Sequence, residues 1–566
     1  MLQLQFEVPI RRRVSGRWVA NFAGMICLAL LSIQACAPKA EEQAQSVGTS
    51  AAPEGIAWFD GDVEEAFQEA RTNGQPVFLY WGAEWCPPCH YLKDKLFTRP
   101  EFIARMKNFV PVYLDGDTES AQIWGEKLAV QGYPTVIVFS PTGDEVMRMP
   151  STLPVDQYQE VLDAAMGSTR PVKNVLDEVM ATGPSSAQAA DLTTLAFYSW
   201  SQDTSVDREP ADMRAIFRRL YDETTADLEV ERSRFLTQYL ISAAAAQRQS
   251  VDGDEVDQIG DDELERLRPE AVRVLSDDDL RSANLVWVLY YSTDTIDLLT
   301  PNPGPDRDAL IATWQAAASK IEDDPTLTVN DRLSAIMPQI ALAELASTSQ
   351  AGEQDGATWE ASEELQQHVR ERVAWAADEV STEGELQTTM NTMAYLLSGV
   401  GLEDEAEALL AARMNETVAP YYFMSWLGSI KEEAGDTGEA LAWYRQAYES
   451  STGRYSRFRW GSMYLRHLLE LAPDDTPTIE AHSKEVLSEL LTLDDAFSGG
   501  NQSRLEGLER SYLVWSEEGE RSATLAAVRD FVHAACDDFP MEGEDSQSAR
   551  CWSFLAEDQP VAEEPT

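Results

Sequence analysis

The spacing of apolar and polar positions divides the chain into a short part that mixes strands with helices and a longer part that is helical throughout. Apolar positions in 62–74 recur at helical spacing and stop at Gly74, which predicts an amphipathic helix. The uninterrupted apolar run 76–85 predicts a buried strand. The elements predicted after it are a helix over 89–97, a strand over 109–115, a helix over 119–130, a strand over 132–140, a turn at 141–144, a strand over 145–149 and a helix over 155–166. From residue 76 the order is β-α-β-α-β-β-α, which places an α/β domain at 54–170.

From residue 171 onward, apolar positions keep helical spacing and no convincing strand pattern occurs. The segments between these predicted helices are rich in Asp, Gly and Pro, as loops are. We therefore predict an all-α region behind the α/β domain. Its parts are a helical domain over 171–385, which is either a plain array or a set of degenerate repeats, a repeat region over 386–490, and a C-terminal helical segment and tail over 491–566.

The first 35 residues have the pattern of an export signal. Four arginines within 11–17 precede the apolar stretch 18–33, which is too short for a comfortable transmembrane helix. This stretch leads into the letters "IQAC" at 33–36, which resemble a bacterial lipobox. The resemblance implies removal of residues 1–35 and lipidation of Cys36, so that the lipid holds the protein at the membrane. An ordinary signal peptide cut nearby and an uncleaved anchor are the alternatives.

Residues 36–53 are small and polar, and are predicted to form a flexible tether. Ala37 follows the lipid site where Gram-negative lipoproteins retained at the inner membrane commonly have Asp, so the outer membrane is favoured. We expect the periplasmic side of the bacterial envelope as the location. In that oxidising compartment, paired cysteines tend to be disulfides or redox centres.

The charge balance of the chain is strongly acidic. With 97 acidic against 44 basic side chains, the formal net charge is −53. A phosphate backbone repels such a chain, so we expect no nucleic acid partner. A heavily solvated acidic surface is the plainer consequence of this charge, and it favours solubility.

The letters "WCPPCH" at 85–90 fall at the junction of a predicted strand and a predicted helix. Cys86 is thereby placed at a helix N-terminus, where free amides and the helix dipole stabilise the thiolate that attacks disulfides. Pro87 and Pro88 are tolerated in a first helical turn, stiffen it and withhold two amides from the sulfur. A structural disulfide stays open, although so small a ring removes little chain entropy. Half of a zinc site also stays open, although only His90 of the five histidines lies near in the sequence.

Three features together resemble the thioredoxin superfamily over about residues 56–168. They are the CxxC junction headed by Trp85, the Pro134-Thr135 dipeptide that opens the next core strand, and the order of the elements. Within the superfamily, the stretch 76–102 looks most like the C-terminal periplasmic domain of DsbD-type reductases. The resemblance implies a thioredoxin fold and a dithiol active site.

The resemblance also implies roles for individual residues. Cys86 is expected to be the exposed nucleophile, and Cys89 the thiol that resolves the mixed disulfide. Pro134 is expected to be a cis-proline that lies against the active site. Trp85 corresponds to the tryptophan that flanks the site in the family.

The position six residues before Cys86 departs from the family pattern. Thioredoxins and DsbD-type domains commonly carry a buried acid there, which is thought to move the proton of the second thiol, whereas this chain has Tyr80. Glu84 is expected to be exposed, and water, Glu84 or His90 remain as proton acceptors. His90 is interpreted either as a partly exposed helix residue that tunes the cysteines or as a catalytic base.

The segment 426–448 resembles a tetratricopeptide repeat. A shift of 34 residues back gives 392–410, and a shift forward gives a further first helix at 458–468. The matching small and aromatic positions are Leu427, Gly428, Gly435, Ala440, Tyr444 and Ala447, with Ala394, Gly401 and Ala406 in the preceding unit. The resemblance implies docking of protein segments. The alternative is a helical domain without a peptide groove, in which Trp426, Trp443 and Trp460 are core residues.

Cys536 and Cys551 bracket a polar segment near the C-terminus. We predict a structural disulfide that ties down the tail, worth about 3 kcal/mol in the chain-entropy model. The alternative is a second redox pair that exchanges electrons with Cys86 and Cys89.

These features predict a membrane-anchored periplasmic thiol–disulfide oxidoreductase that acts on protein substrates held by the helical region and relies on a redox partner protein. No metal and no cofactor besides the Cys86–Cys89 pair are expected. The alternative is an envelope scaffold in which the thioredoxin-like domain has a minor redox role. The motif leaves the direction of exchange open, because CxxC dithiols range from reductants to strong oxidants.

Overall fold

The computed structural model describes residues 52–150, 153–203, 210–249, 259–351, 359–517, 521–541 and 546–556. The predicted signal peptide, the lipid site Cys36 and all but the last two residues of the tether lie outside the described residues. Within the described ranges, no helix combines the length and apolar character needed to cross a membrane.

A four-stranded mixed sheet forms the centre of the α/β domain. The strand order is β2-β1-β3-β4, with β1 parallel to β2 and antiparallel to β3, and β3 antiparallel to β4. The elements are α1 Val63–Asn73, β1 Val77–Gly82, α2 Pro87–Tyr91, α3 Pro100–Met106, β2 Val110–Asp115, α4 Glu119–Lys127, β3 Thr135–Phe139, β4 Glu145–Met149 and α5 Val155–Gly167. The predicted α/β class and the strand order along the chain are confirmed.

The predicted helix over 89–97 is present as α2, which a π-helical turn at Leu92–Leu96 continues. The separate helix α3 was not predicted. Pro100 starts α3 at its first position, where a missing amide costs nothing.

The sheet is buried on both faces, as the continuous apolar run of β1 predicts. Successive side chains of a strand point to opposite faces. Val77, Leu79 and Trp81 face a core shared with α1 and α4. Phe78 and Tyr80 face the other core, which is shared with α3 and α5.

Beyond α5 the described residues form helices and no strand. The longer helices of this region are α6 Val172–Thr182, α7 Ala189–Phe197, α8 Pro210–Glu223, α9 Glu229–Gln249, α10 Asp261–Ser276, α11 Asp278–Ala283, α12 Leu285–Tyr290, α13 Ser292–Leu299, α14 Pro305–Asp323, α15 Val329–Ser334, α16 Ile336–Ala351, α17 Glu363–Glu379, α18 Glu383–Gly399, α19 Glu403–Arg413, α20 Pro420–Glu433, α21 Thr437–Ser450, α22 Arg454–Leu471, α23 Thr476–Leu490, α24 Gly499–Ser516, α25 Ser522–His533 and α26 Gln547–Ser553. The predicted helical region behind the α/β domain is confirmed.

The packing does not break where the α/β domain ends in the sequence. Tyr158 of α5 belongs to the same apolar core as Val175 of α6, Leu195 of α7 and Tyr239 of α9. The helices from α6 to α16 therefore share a hydrophobic core with the sheet domain and pack against it.

Two helix pairs in the repeat region end their first helix in the same way. Gly401 after α18 and Gly435 after α20 have φ of 79° and 82°, a left-handed conformation that favours glycine. The small residue Gly428 lets the two helices of its pair approach, since a Cβ there would lie 2.6 Å from the ring of Tyr444. These features support the tetratricopeptide interpretation, which stays a prediction.

Candidate active site

Cys86 and Cys89 are joined by a disulfide, with their Cα atoms 5.3 Å apart. Cys86 caps the N-terminus of α2, and its Sγ accepts a hydrogen bond from the amide of Cys89 at 3.2 Å. Pro87 and Pro88 occupy the first two helical positions and have no amide, so Cys89 supplies the amide that reaches the sulfur. The positive end of the helix therefore lies at Cys86, which favours a thiolate once the disulfide is reduced.

The peptide bond between Tyr133 and Pro134 is cis, and Pro134 is buried at the start of β3. Thr135 is paired with the end of β1, so the sheet brings this dipeptide to the edge that carries the dithiol. The Thr135 hydroxyl donates to the carbonyl of Gly132 at 2.7 Å and holds the turn. The rings of Tyr133 and Trp85 meet edge to face, 6.1 Å apart, and both pack against the two cysteines.

Tyr80 lies in the core below the site, in the place where the family carries an acid. Its ring packs edge-on against Phe97 at 5.0 Å and stacks on Tyr113 at 5.5 Å. Its hydroxyl is buried, with no hydrogen-bond partner in the described part of the chain. Burial raises the pKa of Tyr80 well above its usual value, and the charges of Asp115 and Asp94 add to this. Tyr80 therefore does not accept a proton at neutral pH.

Three charged side chains surround the end of β1. Glu84 is half-buried, which corrects the expectation that it is exposed. Burial raises the pKa of Glu84, and the neighbouring Asp115 adds to the effect. Burial lowers the pKa of Lys93, whereas Asp115 and Glu84 act to raise it.

Nothing in the sequence near Lys93 and Asp115 indicates that they lie at the site. Asp115 ends β2 opposite Gly82, at the edge where β1 leads into the dithiol, and this position is known only from the parallel register. Tyr80 is unsuited to accept the thiol proton, whereas Asp115, Lys93 and Glu84 are ionisable groups that the structure brings to this edge.

His90 is buried, with 7% of its surface exposed, which corrects the expectation of a partly exposed residue. Its Nε2 lies 2.6 Å from the carbonyl oxygen of Glu84 and donates to it. Burial lowers the pKa of His90 to about 4, against the raising effect of this hydrogen bond. His90 is therefore neutral at neutral pH and holds the segment before Cys86 in place.

The disulfide itself is enclosed, although the family resemblance implies an exposed nucleophile. Cys86 is 1% exposed and Cys89 is 0% exposed. The cover comes from α18, where the Thr388 hydroxyl donates to the carbonyl of Pro87 at 2.8 Å and the Gln387 amide donates to the carbonyl of Trp85 at 3.2 Å. The nucleophile is thus closed off by the helical region of the same chain.

A second contact joins the site to α22. The Trp85 indole donates to the Ser456 hydroxyl at 2.9 Å, and this hydroxyl donates to Oδ2 of Asp117 at 2.8 Å. The Ser456 amide donates to Oδ1 of Asp117 at 2.7 Å. Burial raises the pKa of Asp117 to about 7, with the Ser456 amide acting in the opposite direction. Asp117 was not singled out from the sequence, because nothing near it in the chain indicates its partner.

Cys536 and Cys551 also form a disulfide, with Cα atoms 5.4 Å apart. Both are 0% exposed and lie in the core of the last helices, which contains Val532 and Phe554. The small cluster that holds Cys86 and Cys89 meets this core at Trp85, which packs against both.

Comparison with known proteins places the α/β domain in a family. Residues 63–166 match a family model described as a thioredoxin-like domain. The thiol:disulfide interchange protein DsbD 1 of Pseudomonas aeruginosa is 31% identical over 85 residues, which are 15% of this chain and 14% of that protein. DsbD of Campylobacter jejuni is 26% identical over 106 residues, 19% of each chain. The matched stretches thus span less than a fifth of these relatives, and residues 63–166 form a thioredoxin-like domain similar to part of the DsbD proteins.

Proposed function

We propose that this protein is a thiol–disulfide oxidoreductase whose reacting groups are Cys86 and Cys89. The observation that carries the proposal is the Cys86–Cys89 disulfide at the N-terminus of α2, beside the cis peptide of Pro134. The similarity to proteins named for thiol:disulfide interchange supports it.

In the reducing direction, the Cys86 thiolate attacks one sulfur of a client disulfide, and the other client sulfur leaves as a thiolate. The Cys89 thiolate then attacks Sγ of Cys86, breaks the mixed disulfide and releases the client sulfur that was bonded to Cys86 as a thiolate. The dithiol loses two electrons and becomes the disulfide, while the client disulfide gains them and becomes two thiols. A second dithiol protein restores Cys86 and Cys89, and the same steps run backwards oxidise a client.

We further propose that the protein acts on protein substrates in the periplasm while a lipid on Cys36 holds it at the envelope, with the outer membrane favoured. The sequence pattern of residues 1–36 supports this location. The helical region is proposed to hold clients, because paired helices with small contact residues commonly present peptide-binding surfaces.

A scaffold role is the second candidate. The observation in its favour is the enclosed disulfide, together with Tyr80 in place of an acid. In a scaffold, the helical region would assemble an envelope complex, and a variant without Cys86 and Cys89 would rescue the loss of the gene.

The full mature chain tests the enzymatic proposal in the reduction of insulin by dithiothreitol. The wild type is expected to accelerate the reaction, and Cys86→Ser to give only the rate of the buffer. The double variant Cys536→Ser/Cys551→Ser is the matched control and is expected to keep the activity. Activity that survives in Cys86→Ser would contradict the proposal.

A further inference from the structure

The cover over the dithiol consists of two helices that lie far along the chain from it. We call α18 and α22 the cap. Thr388 and Gln387 of α18 bind the carbonyls of Pro87 and Trp85. The other end of Gln387 accepts from the amide of Ala419 at 3.0 Å, so its side chain is held at both ends.

The second helix of the cap reaches the site through Ser456. Its hydroxyl stands between the Trp85 indole and the Asp117 carboxylate, and its amide binds the same carboxylate. The guanidinium of Arg459 lies over the Trp85 ring at 4.4 Å, and Trp460 meets that ring edge-on at 6.4 Å. The flanking tryptophan is therefore held by α22 on its polar edge and on its face.

The closed arrangement leaves two polar atoms in the interface without partners in the described part of the chain. They are Oδ2 of Asp94, beside α18, and the indole nitrogen of Trp460, beside Trp85. A buried polar atom without a partner costs free energy that contact with water removes. Opening of the cap would hydrate both atoms, so the closed form is less stable than its contacts alone suggest.

Exchange chemistry does not fit the closed form. A client sulfur must come within bonding distance of Sγ of Cys86, in line with the bond that breaks. With 1% of Cys86 and none of Cys89 exposed, a sulfur on another protein has no path to either atom.

We propose that the cap is an autoinhibitory element: α18 and α22 keep the dithiol closed, and exchange with a protein client or redox partner requires them to withdraw from Trp85 and Pro87. This inference rests on the proposed function and assigns Ser456 and Thr388 as the groups that hold the cap. Both act through hydrogen bonds that water replaces when the cap opens, so closure is reversible.

The test measures how fast excess dithiothreitol reduces the Cys86–Cys89 disulfide in the oxidised full chain. Samples are quenched with acid and alkylated, and peptide mass spectrometry follows each cysteine pair. The cap variant is Thr388→Val/Ser456→Ala, and the matched control is Ser488→Ala, at an exposed position of α23. We expect reduction about ten-fold faster in the cap variant, about three-fold faster in either single variant, and unchanged in the control.

The Cys536–Cys551 pair in the same samples is the internal reference, and its rate is expected to stay the same. If both pairs accelerate together, the variants have loosened the whole protein and the named contacts do not act as a cap. The single variants, with circular dichroism and melting curves, show whether the fold is kept.

Two further results would overturn the cap proposal. One is a folded wild type that is reduced as fast as the chain unfolded in urea, and the other is a folded cap variant that is no faster than the wild type. The insulin assay separates this outcome from failure of the proposed function. A cap variant whose Cys86 reacts readily with dithiothreitol but which does not reduce insulin would contradict the proposed oxidoreductase function. The cap proposal would stand.

Discussion

The two disulfides of this protein are equally buried, yet their surroundings differ. Cys86 is 1% exposed, and Cys89, Cys536 and Cys551 are 0% exposed. The C-terminal pair lies in the large apolar core of the helices from α15 to α26, to which α18 and α22 also contribute. Cys86 and Cys89 form a small cluster of their own. The helices that cover this cluster form hydrogen bonds with Trp85 and Pro87, and their bonding residues lie 301 to 371 positions further along the chain.

This difference shows that burial alone does not make a disulfide structural. Exposing Cys536 and Cys551 requires taking apart the core that contains Val532 and Phe554. Exposing Cys86 and Cys89 requires that α18 and α22, which belong to that same core, move away from Trp85 and Pro87. The contacts that break are the hydrogen bonds to Trp85 and Pro87 and the packing of the Trp85 ring on Trp460. A buried disulfide is able to react only if the elements that cover it move away without unfolding of the protein.

The largest expected effect separates the two pairs directly. Cys86→Ser abolishes exchange and leaves the core of the last helices intact. Cys536→Ser/Cys551→Ser keeps exchange but lowers the free energy of unfolding by about 3 kcal/mol, because the unfolded chain is no longer cross-linked. Insulin reduction and urea unfolding of both variants measure these effects.

An equilibrium titration in dithiothreitol buffers checks the same contrast. Intact masses after alkylation are expected to show two separate transitions, one for each pair. If both pairs titrate at similar potentials, the structural role of Cys536 and Cys551 is wrong. The alternative that they form a second redox pair is then favoured. The full chain is the suitable sample, because the core under α5 continues into α6 and α7.

The next effect concerns the carboxylate that binds the cap. Burial raises the pKa of Asp117 to about 7, Asp115 adds to this, and Arg504 and the Ser456 amide oppose it. Between about pH 4 and pH 7 the folded protein keeps a proton that the unfolded chain has lost, so this contribution to stability is full below pH 4 and is lost as the pH rises through 7. Asp117→Asn is expected to remove this part of the decrease in the free energy of unfolding with rising pH.

Urea unfolding at pH 5 and pH 8 measures the effect in wild type and Asp117→Asn. The asparagine still accepts from the Ser456 amide, so the variant keeps one bond to the cap. An identical decline in both proteins would contradict the role of Asp117.

A somewhat smaller effect of opposite sign is expected from His90. Burial lowers its pKa to about 4, the hydrogen bond to Glu84 opposes this, and Lys93 adds to it. The unfolded chain takes up a proton near pH 6.5 while the folded protein stays neutral, so this contribution is full above pH 6.5 and is lost as the pH falls toward 4. His90→Gln keeps a donor for the Glu84 carbonyl and is expected to flatten the acid side of the stability profile, as measured by urea unfolding between pH 4.5 and 7. A profile unchanged from the wild type would show that His90 already titrates normally in the fold.

The smallest expected effect is that of Tyr80→Phe. The hydroxyl it removes is buried with no partner in the described part of the chain, and the ring contacts with Phe97 and Tyr113 remain. The free energy of unfolding is expected to change by less than about 1 kcal/mol, and insulin reduction to stay the same. A large loss of activity would show that Tyr80 takes part in proton transfer after all.

The local parts of the site could be predicted because short-range rules produce them. The apolar run of β1 indicates burial on both faces, and two prolines after Cys86 are tolerated in a first helical turn. The cis-proline at Pro134 was expected from the thioredoxin resemblance, and its place beside the dithiol depends on the pairing of β3 with β1, which no local rule gives. The helix α3 was not predicted, because its seven residues are too few to show a helical period.

The sequence by itself determined the α/β domain, the dithiol at the start of a helix, and the helical region behind it. These follow from periodicity and from the conformations that proline and glycine allow, which act over a few residues. Only the tertiary structure decided that Cys86 is enclosed, that His90 is buried and that Asp117 meets Ser456 across 339 residues of chain. Such contacts depend on how whole helices pack, and the local sequence around either residue does not predict its partner.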